Sequence, residues 1–275
     1  MVKPDKILLI DGLNFAYKSN VSFKPSNQTD ISYTVVYGFF RSLRALIEEF
    51  SPTKIFFCDE GSNNFRRNID SGYKANRIIK RGSKNPKSQE DFYRQKRIID
   101  DLLKHLPITT VRADTFEADD VIATLVEDLK NESVIIISND SDYVQLLQRG
   151  YTKLKLYDPF KKTFVVAPSF HSLTYKCLGD ETDNVKRLVS KKIATELASD
   201  INALKEFLSN EENRSNYTLN KQLVELKPFD NKLLKFGDYK VDFARLKASF
   251  VAMDFKTMVE DGYWDRFMRT FRGLR

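Results

Sequence analysis

Three short apolar runs in this chain end on aspartate, and that repetition constrains the fold more than any other feature. Lys6–Ile10 (KILLI) runs into Asp11, Lys54–Cys58 (KIFFC) into Asp59, and Val134–Ile137 (VIII) into Ser138-Asn-Asp-Ser-Asp142. Apolar runs without polar alternation suit strands buried on both faces, the condition of a parallel sheet. Helical spacing separates them: Val36, Phe39, Phe40, Leu43, Leu46, Ile47 and Phe50 within Tyr33–Phe50, then Phe92, Ile98, Ile99, Leu102 and Leu103 within Gln89–Leu106. That alternation predicts right-handed βαβ crossovers and an α/β fold, a mostly parallel central sheet flanked by helices. Acids just after such strands sit at the carboxyl edge of the sheet, where open α/β sheets hold their ligands. A single aspartate there is ordinary turn chemistry, with Gly12 turning the chain after Asp11. Three such aspartates are harder to assign to turns.

The stretch from Thr115 to Asp142 concentrates the acids. Glu117, Asp119 and Asp120 open a helix over Glu117–Leu129, and Asp140 and Asp142 follow the third strand. The helix dipole and capping favour acids in a first turn by about 0.3–1 kcal/mol each, which accounts for one or two of the three. Gathering five carboxylates is unfavourable unless something divalent neutralises them, so the stretch reads as the floor of a metal site. His105 and His171 are isolated in sequence and take no role. All-oxygen donors favour Mg²⁺ or Mn²⁺ over zinc.

The remaining elements are a short strand at Ile108–Val111, a short helix at Tyr143–Leu147, and a hairpin of Lys153–Tyr157 with Thr163–Val166 at the sheet edge. After Pro168 the strand signals stop. Phe170–Leu178 leads into Gly179-Asp-Glu-Thr-Asp-Asn184, and helices are expected over Val185–Ala198, Ile201–Leu208, Tyr217–Leu226 and Val241–Phe250. Tyr263–Arg275 carries Trp264, Phe267, Met268 and Phe271, a docking face. The expected division is an α/β core over 1–168 and a helical region over 169–275. No Pro/Gly/Ser linker separates them, so they should pack as one unit.

No apolar run approaches the ~20 residues of a membrane span, and the N-terminus lacks a signal-peptide pattern. Cys58 and Cys177 are too few for a disulfide framework or a zinc site, and read as buried small hydrophobes in a reducing, cytoplasmic setting. The net charge of +7 matters through its placement: Gly61–Arg97 holds eleven Lys/Arg against three Asp/Glu. Arg66, Lys74, Arg77, Lys80 and Arg81 interleave there with Phe65 and Tyr73, while Gly72, Gly82, Asn85 and Pro86 interrupt any single long helix. A basic, aromatic excursion beside an acidic site suits a phosphate backbone, and an exposed basic loop is the plainer alternative.

Taken in order, Asp11-Gly, Asp59, Tyr73-Lys-Ala-Asn-Arg77, Glu117-Ala-Asp-Asp120, Ser138-Asn-Asp-Ser-Asp142 and Gly179-Asp-Glu-Thr-Asp-Asn184 resemble the motifs of the 5′-nuclease superfamily. That superfamily includes flap endonucleases, the 5′→3′ exonuclease domain of bacterial DNA polymerase I, and phage 5′-exonuclease/RNase H enzymes. Asn220–Leu226 resembles a further segment of it. The resemblance implies a PIN-like core, a basic arch over about 61–97, and a helix-hairpin segment that binds duplex. It implies that Asp59, Glu117, Asp119, Asp120, Asp140, Asp142, Asp180 and Asp183 are metal carboxylates and that Asp11 is the first-strand acid. Lys74 and Arg77 match the basic pair at the scissile phosphate, and Tyr73 the aromatic beside them. The implied activity is hydrolysis of DNA at 5′ ends or flaps, or of RNA in RNA–DNA hybrids, by a monomer in replication or repair. Two divalent ions would supply the nucleophile and relieve charge on the leaving oxygen.

The chain departs from that pattern after Asn184. The superfamily continues with a proline and a Gly-x-Gly turn, whereas here Val185-Lys-Arg-Leu-Val-Ser-Lys-Lys192 follows with neither glycine nor proline. Lys186, Arg187, Lys191 and Lys192 remain to hold duplex as point charges, and no potassium site is expected. The arch from Ile78 to Arg94 reads as short and polar. Two alternatives stand beside a nuclease: a catalytically silent DNA-binding protein and a PIN-type ribonuclease. Against the first, no expected metal acid is missing; against the second, the chain has a basic excursion and a helical C-terminal third.

Overall fold

The three apolar runs are neighbouring strands. A computed structural model of the protein describes residues 5–22, 33–75 and 86–274. Within them the strands are β1 (Lys6–Asp11), β2 (Lys54–Cys58), β3 (Thr109–Arg112), β4 (Ser133–Ile137), β5 (Leu154–Asp158), β6 (Thr163–Phe164) and β7 (Lys235–Phe236). They form one sheet in the order β6-β5-β4-β1-β2-β3-β7. The five central strands are parallel, and β6 and β7 add antiparallel at the two edges. The expectation that strands end at Pro168 is therefore corrected by β7. It is two residues long and pairs Val111 with Phe236 and Arg112 with Lys235, too short to leave a period in the sequence.

Strand alternation divides the core between the two faces. Leu8, Ile10, Ile55, Phe57, Ile135 and Ile137 face the Thr34–Phe50 helix, and Ile7, Leu9, Phe56, Val134 and Ile136 face the Ala118–Asp128 helix. Continuous apolar strands are thus explained: both faces are covered. The first cluster also takes Phe250, Trp264, Phe267 and Phe271 from the Phe243–Ala252 and Asp261–Arg272 helices, so the expected docking helix does pack on the α/β core. Arg266 fixes it further with two bonds of 2.8 Å to Glu48. Cys58 and Cys177 are buried and free, and burial pushes the Cys177 thiol up to about 12.

The chain runs β1, β2, β3 outward on one side, then returns to lay β4 and β5 on the other. The reversal falls between β1 and β4, a topological switch point that brings Asp11 beside the segment carrying Asp140 and Asp142. Gly12 does not make a turn here but opens the Gly12–Ser22 helix directly from β1. Its requirement is close approach: a Cβ would stand 2.6 Å from Asp59 Oδ1 and 2.9 Å from the Cys58 carbonyl.

In the helical region the Ser172–Cys177 and Lys191–Ser199 helices are joined by a loop, not by the long helix expected from Val185. Asp180 and Val185 pair as an antiparallel bridge, which turns the chain before a helix can start. Gly179 is at φ +133°, and a Cβ there would meet the Arg187 backbone at 2.5 Å. Lys186 and Arg187 therefore sit on the loop, while Lys191 and Lys192 begin the second helix.

Candidate metal centre and its basic surround

Asp119, Asp140 and Asp142 come together at the switch point. One carboxylate oxygen from each lies within 4.8 Å of the other two. Asp140 arrives as the cap of a single 3₁₀ turn (Ser141–Tyr143), accepting from the Asp142 amide at 2.9 Å. Asn14 and Asn139 clamp the edge by exchanging bonds of 2.6 and 3.3 Å between the first turn of the Gly12–Ser22 helix and the loop after β4. Asp11 stands beside the three. It accepts from Ser138 Oγ at 3.1 Å and from Tyr143 OH at 3.2 Å, and Tyr143 OH also lies 2.6 Å from Asp119 Oδ1.

Burial and mutual repulsion set the protonation of this group. Desolvation, then the Asp140 charge, raise the Asp11 carboxyl to about 7 against the bonds from Asn14, Ser138 and Tyr143. Burial and Asp140 likewise push Asp119 well up, and Asp142 upward with Lys176 opposing. Carboxyls that resist ionising without a cation are what a divalent ion would relieve. The donor set, oxygens only and spread over no more than 4.8 Å, fits Mg²⁺ or Mn²⁺.

The other two acids of the helix start are otherwise engaged. Glu117 and Asp120 form a reciprocal capping box on the Ala118–Asp128 helix. Asp120 also holds Arg66 through two bonds, at 2.5 and 2.6 Å, with Asp120 and Arg66 each 1% exposed. Arg66 was expected on the nucleic-acid face. It is instead an interior residue, donating further to the Leu223 carbonyl at 2.8 Å, the Glu225 carbonyl at 3.1 Å and Glu117 at 3.2 Å. Asp120 is correspondingly a structural partner and stands outside the three-acid cluster.

Lys74 lies across this group. Its ammonium is 2.6 Å from Glu117 Oε1 and 3.8 Å from Asp183. Lys74 sits at φ +57°, a costly conformation for a lysine, and the turn is held there from the GDETDN loop. The Lys74 amide donates to the Asp183 carbonyl at 2.9 Å and Asn184 Nδ2 to the Gly72 carbonyl at 2.8 Å. Burial would raise the Glu117 carboxyl, but Lys74 and Arg66 outweigh it and hold Glu117 below the usual range. Tyr73, expected to offer a stacking face, is buried with its hydroxyl on Glu117 at 3.2 Å. It supports Lys74 from beneath and presents no open ring.

Three further acids matched to the metal set carry lysines. Asp59 pairs with Lys96 at 2.8 Å, and Lys96 also holds Asp100 at 2.6 Å. Lys176 pairs with Asp142 and, at 2.8 Å, with Asp180. Sequence reasoning passed over Lys96, Lys176 and Tyr143. Lys176 lies four residues before Asp180, a close spacing visible in the sequence although Asp180 lies beyond the helix; Lys96 reaches Asp59 across 37 residues and left no local sign. Of the expected nucleic-acid residues, Lys186, Lys191 and Lys192 are exposed, and Arg187 is turned onto Glu181 at 2.8 Å. Arg77, Lys80 and Arg81 lie outside the described residues, with the rest of 76–85 from the expected arch.

A sequence profile described as "5′-3′ exonuclease, N-terminal resolvase-like domain" matches residues 6–171, which carry all of this centre except the GDETDN loop and Lys176. The chain belongs to that family. With it comes the 5′-nuclease superfamily expected from the motifs. DNA polymerase I of Treponema pallidum is 31% identical over 201 residues, 67% of this chain and 19% of that protein. A 5′-3′ exonuclease of Buchnera aphidicola subsp. Schizaphis graminum is 26% identical over 250 residues, 86% of this chain and 83% of that protein. The chain spans about a fifth to a quarter of the length of the DNA polymerase I relatives it matches. A bacteriophage T5 flap endonuclease, solved with DNA and metal ions, superposes with a TM-score of 0.63 over 97% of this chain and 99% of that one, at 17% identity. At that identity the likeness is one of fold, and it extends through the C-terminal helices.

Proposed function

We propose that the chain is a divalent-metal-dependent 5′-nuclease that hydrolyses phosphodiester bonds in DNA at 5′ ends or flaps, and in RNA of RNA–DNA hybrids, acting as an intracellular monomer. The observation that carries the reading is the convergence of Asp119, Asp140 and Asp142 within 4.8 Å at the switch point. These three would hold the first Mg²⁺ or Mn²⁺, with Asp11 behind them; Asp180 would contribute to a second. Bound there, divalent ions supply charge neutralisation and an activated water for hydrolysis.

The chain's own groups do the rest. Lys74 keeps its ammonium in place on Glu117, its side chain 12% exposed, to meet the negative charge that builds on the phosphoryl oxygens. Arg66 and the capping box fix Glu117, and so fix Lys74. Tyr143 orients Asp11 and Asp119 together through one hydroxyl. Lys186, Lys191 and Lys192 offer point charges to duplex backbone, without the close backbone approach that a glycine turn would give.

The test is release of 5′-terminal fragments from a 5′-labelled flap duplex in Mg²⁺. The wild type should cut and be silenced by EDTA, while Asp142→Asn should bind the flap and leave it intact. Binding without cutting by both proteins would establish a DNA-binding module instead.

A further inference from the structure

Lys176 lies inside the acid set and has no counterpart in the functional reading above. It is carried by the Ser172–Cys177 helix, and its side chain is 13% exposed. Its ammonium is shared between Asp142, a member of the three-acid cluster, and Asp180, at 2.8 Å. Asp180 spends its other oxygen on the Thr182 amide at 2.8 Å, and Asp183 is backed by Lys74. Asp180 and Asp183 of the GDETDN loop are therefore each answered by a lysine of this chain, and Glu181 by Arg187. Asp119 and Asp140, by contrast, have no lysine or arginine within ion-pairing distance among the described residues.

We propose, building on the metal-nuclease reading, that Lys176 is an internal competitor for the second divalent cation. One ion loads at Asp119, Asp140 and Asp142, while the position spanning Asp142 and Asp180 is held by the ammonium until a second ion displaces it. Three features favour competition over a purely structural ion pair. The ammonium bridges carboxylates that belong to two different segments, it sits at the boundary of the cluster, and one of its partners already belongs to the first-ion set. The exchange replaces one positive charge by two between the same carboxylates, so it needs no proton or electron to balance. It makes occupancy of the second position demand a higher metal concentration than occupancy of the first.

The probe is Mn²⁺ alone, titrated into the full chain without DNA and followed by the loss of free Mn²⁺ signal in electron paramagnetic resonance. Wild type should bind one Mn²⁺ tightly and a second much more weakly. Lys176→Met and Lys176→Gln should tighten the second site roughly tenfold or more, since two carboxylates then face the ion without a competing charge. Adding Asp180→Asn to either should abolish that gain. Lysine-¹⁵N resonance of the wild type gives a reading that needs no variant: the Lys176 ammonium signal should move with the second equivalent of Mg²⁺ and not with the first. Unchanged second-site affinity in both variants, or a Lys176 signal that ignores Mg²⁺, overturns the proposal while leaving the first-ion site standing. Failure of wild type and variants alike to bind any Mn²⁺ overturns the metal-nuclease reading, and this proposal with it.

Discussion

Replacing Arg66 by alanine should strongly destabilise the protein, although Arg66 lies away from the three-acid cluster. Its guanidinium is buried and makes two bonds to Asp120, one to Glu117 and two to the carbonyls of Leu223 and Glu225. Arg66→Ala strands Asp120, itself 1% exposed, without its cation. Breaking a buried ion pair from one side costs about 3–5 kcal/mol, because the remaining charge stays desolvated. Against a net stability of about 5–15 kcal/mol for a typical domain, that is a large share. Urea unfolding at pH 7 followed by circular dichroism measures it. The paired change Arg66→Met with Asp120→Leu should recover most of the loss, since apolar groups of similar size can replace a buried pair at little cost. A loss below about 1 kcal/mol for Arg66→Ala, the range of an exposed pair, would refute the reasoning. So would a double variant as unstable as the single one.

Lys74→Ala should lower single-turnover cleavage by about 100- to 1,000-fold, the scale of a removed charge-stabilising donor, while flap affinity falls only a few-fold. Equal losses in rate and binding would make Lys74 a phosphate anchor. The metal-free protein should lose stability as pH rises. The Asp11 carboxyl stands at about 7 in the fold against an ordinary 3.8, so the folded state holds an extra proton across that window, and Asp119 and Asp142 are shifted the same way. Unfolding free energy in EDTA should therefore fall as pH rises from 4 to 7, by up to about 1.4 kcal/mol per pH unit for each proton held. Urea midpoints at fixed pH steps test this, and Asp11→Asn or added Mg²⁺ should flatten the slope. A stability that rises steadily from pH 5 to 7 in EDTA would contradict it.

What was legible in the sequence was local. The strand-end acids could be read because each follows its own apolar run, and the sheet order then brings Asp11 to Asp140 and Asp142. The helix start at Glu117 was legible as a cluster of acids, but not how the three divide. Asp119 joins Asp140 and Asp142, while Asp120 turns to Arg66, 54 residues away, and Glu117 to Lys74. Only the fold decides which carboxylates meet cations of the chain and which meet each other. The same holds for Arg66. It sits in the most basic stretch of the sequence, and its charge is consumed inside the protein, not offered to a phosphate. The loop after Asn184 was misread because Val185–Ala198 has helical content throughout, whereas the Asp180–Val185 bridge delays the helix to Lys191.

The most direct test of the metal centre is anomalous scattering from crystals grown with Mn²⁺. The arrangement requires a strong peak bounded by Asp119, Asp140 and Asp142, lost in Asp140→Asn. Strong Mn²⁺ peaks elsewhere on the protein, with none between these three carboxylates, would contradict it.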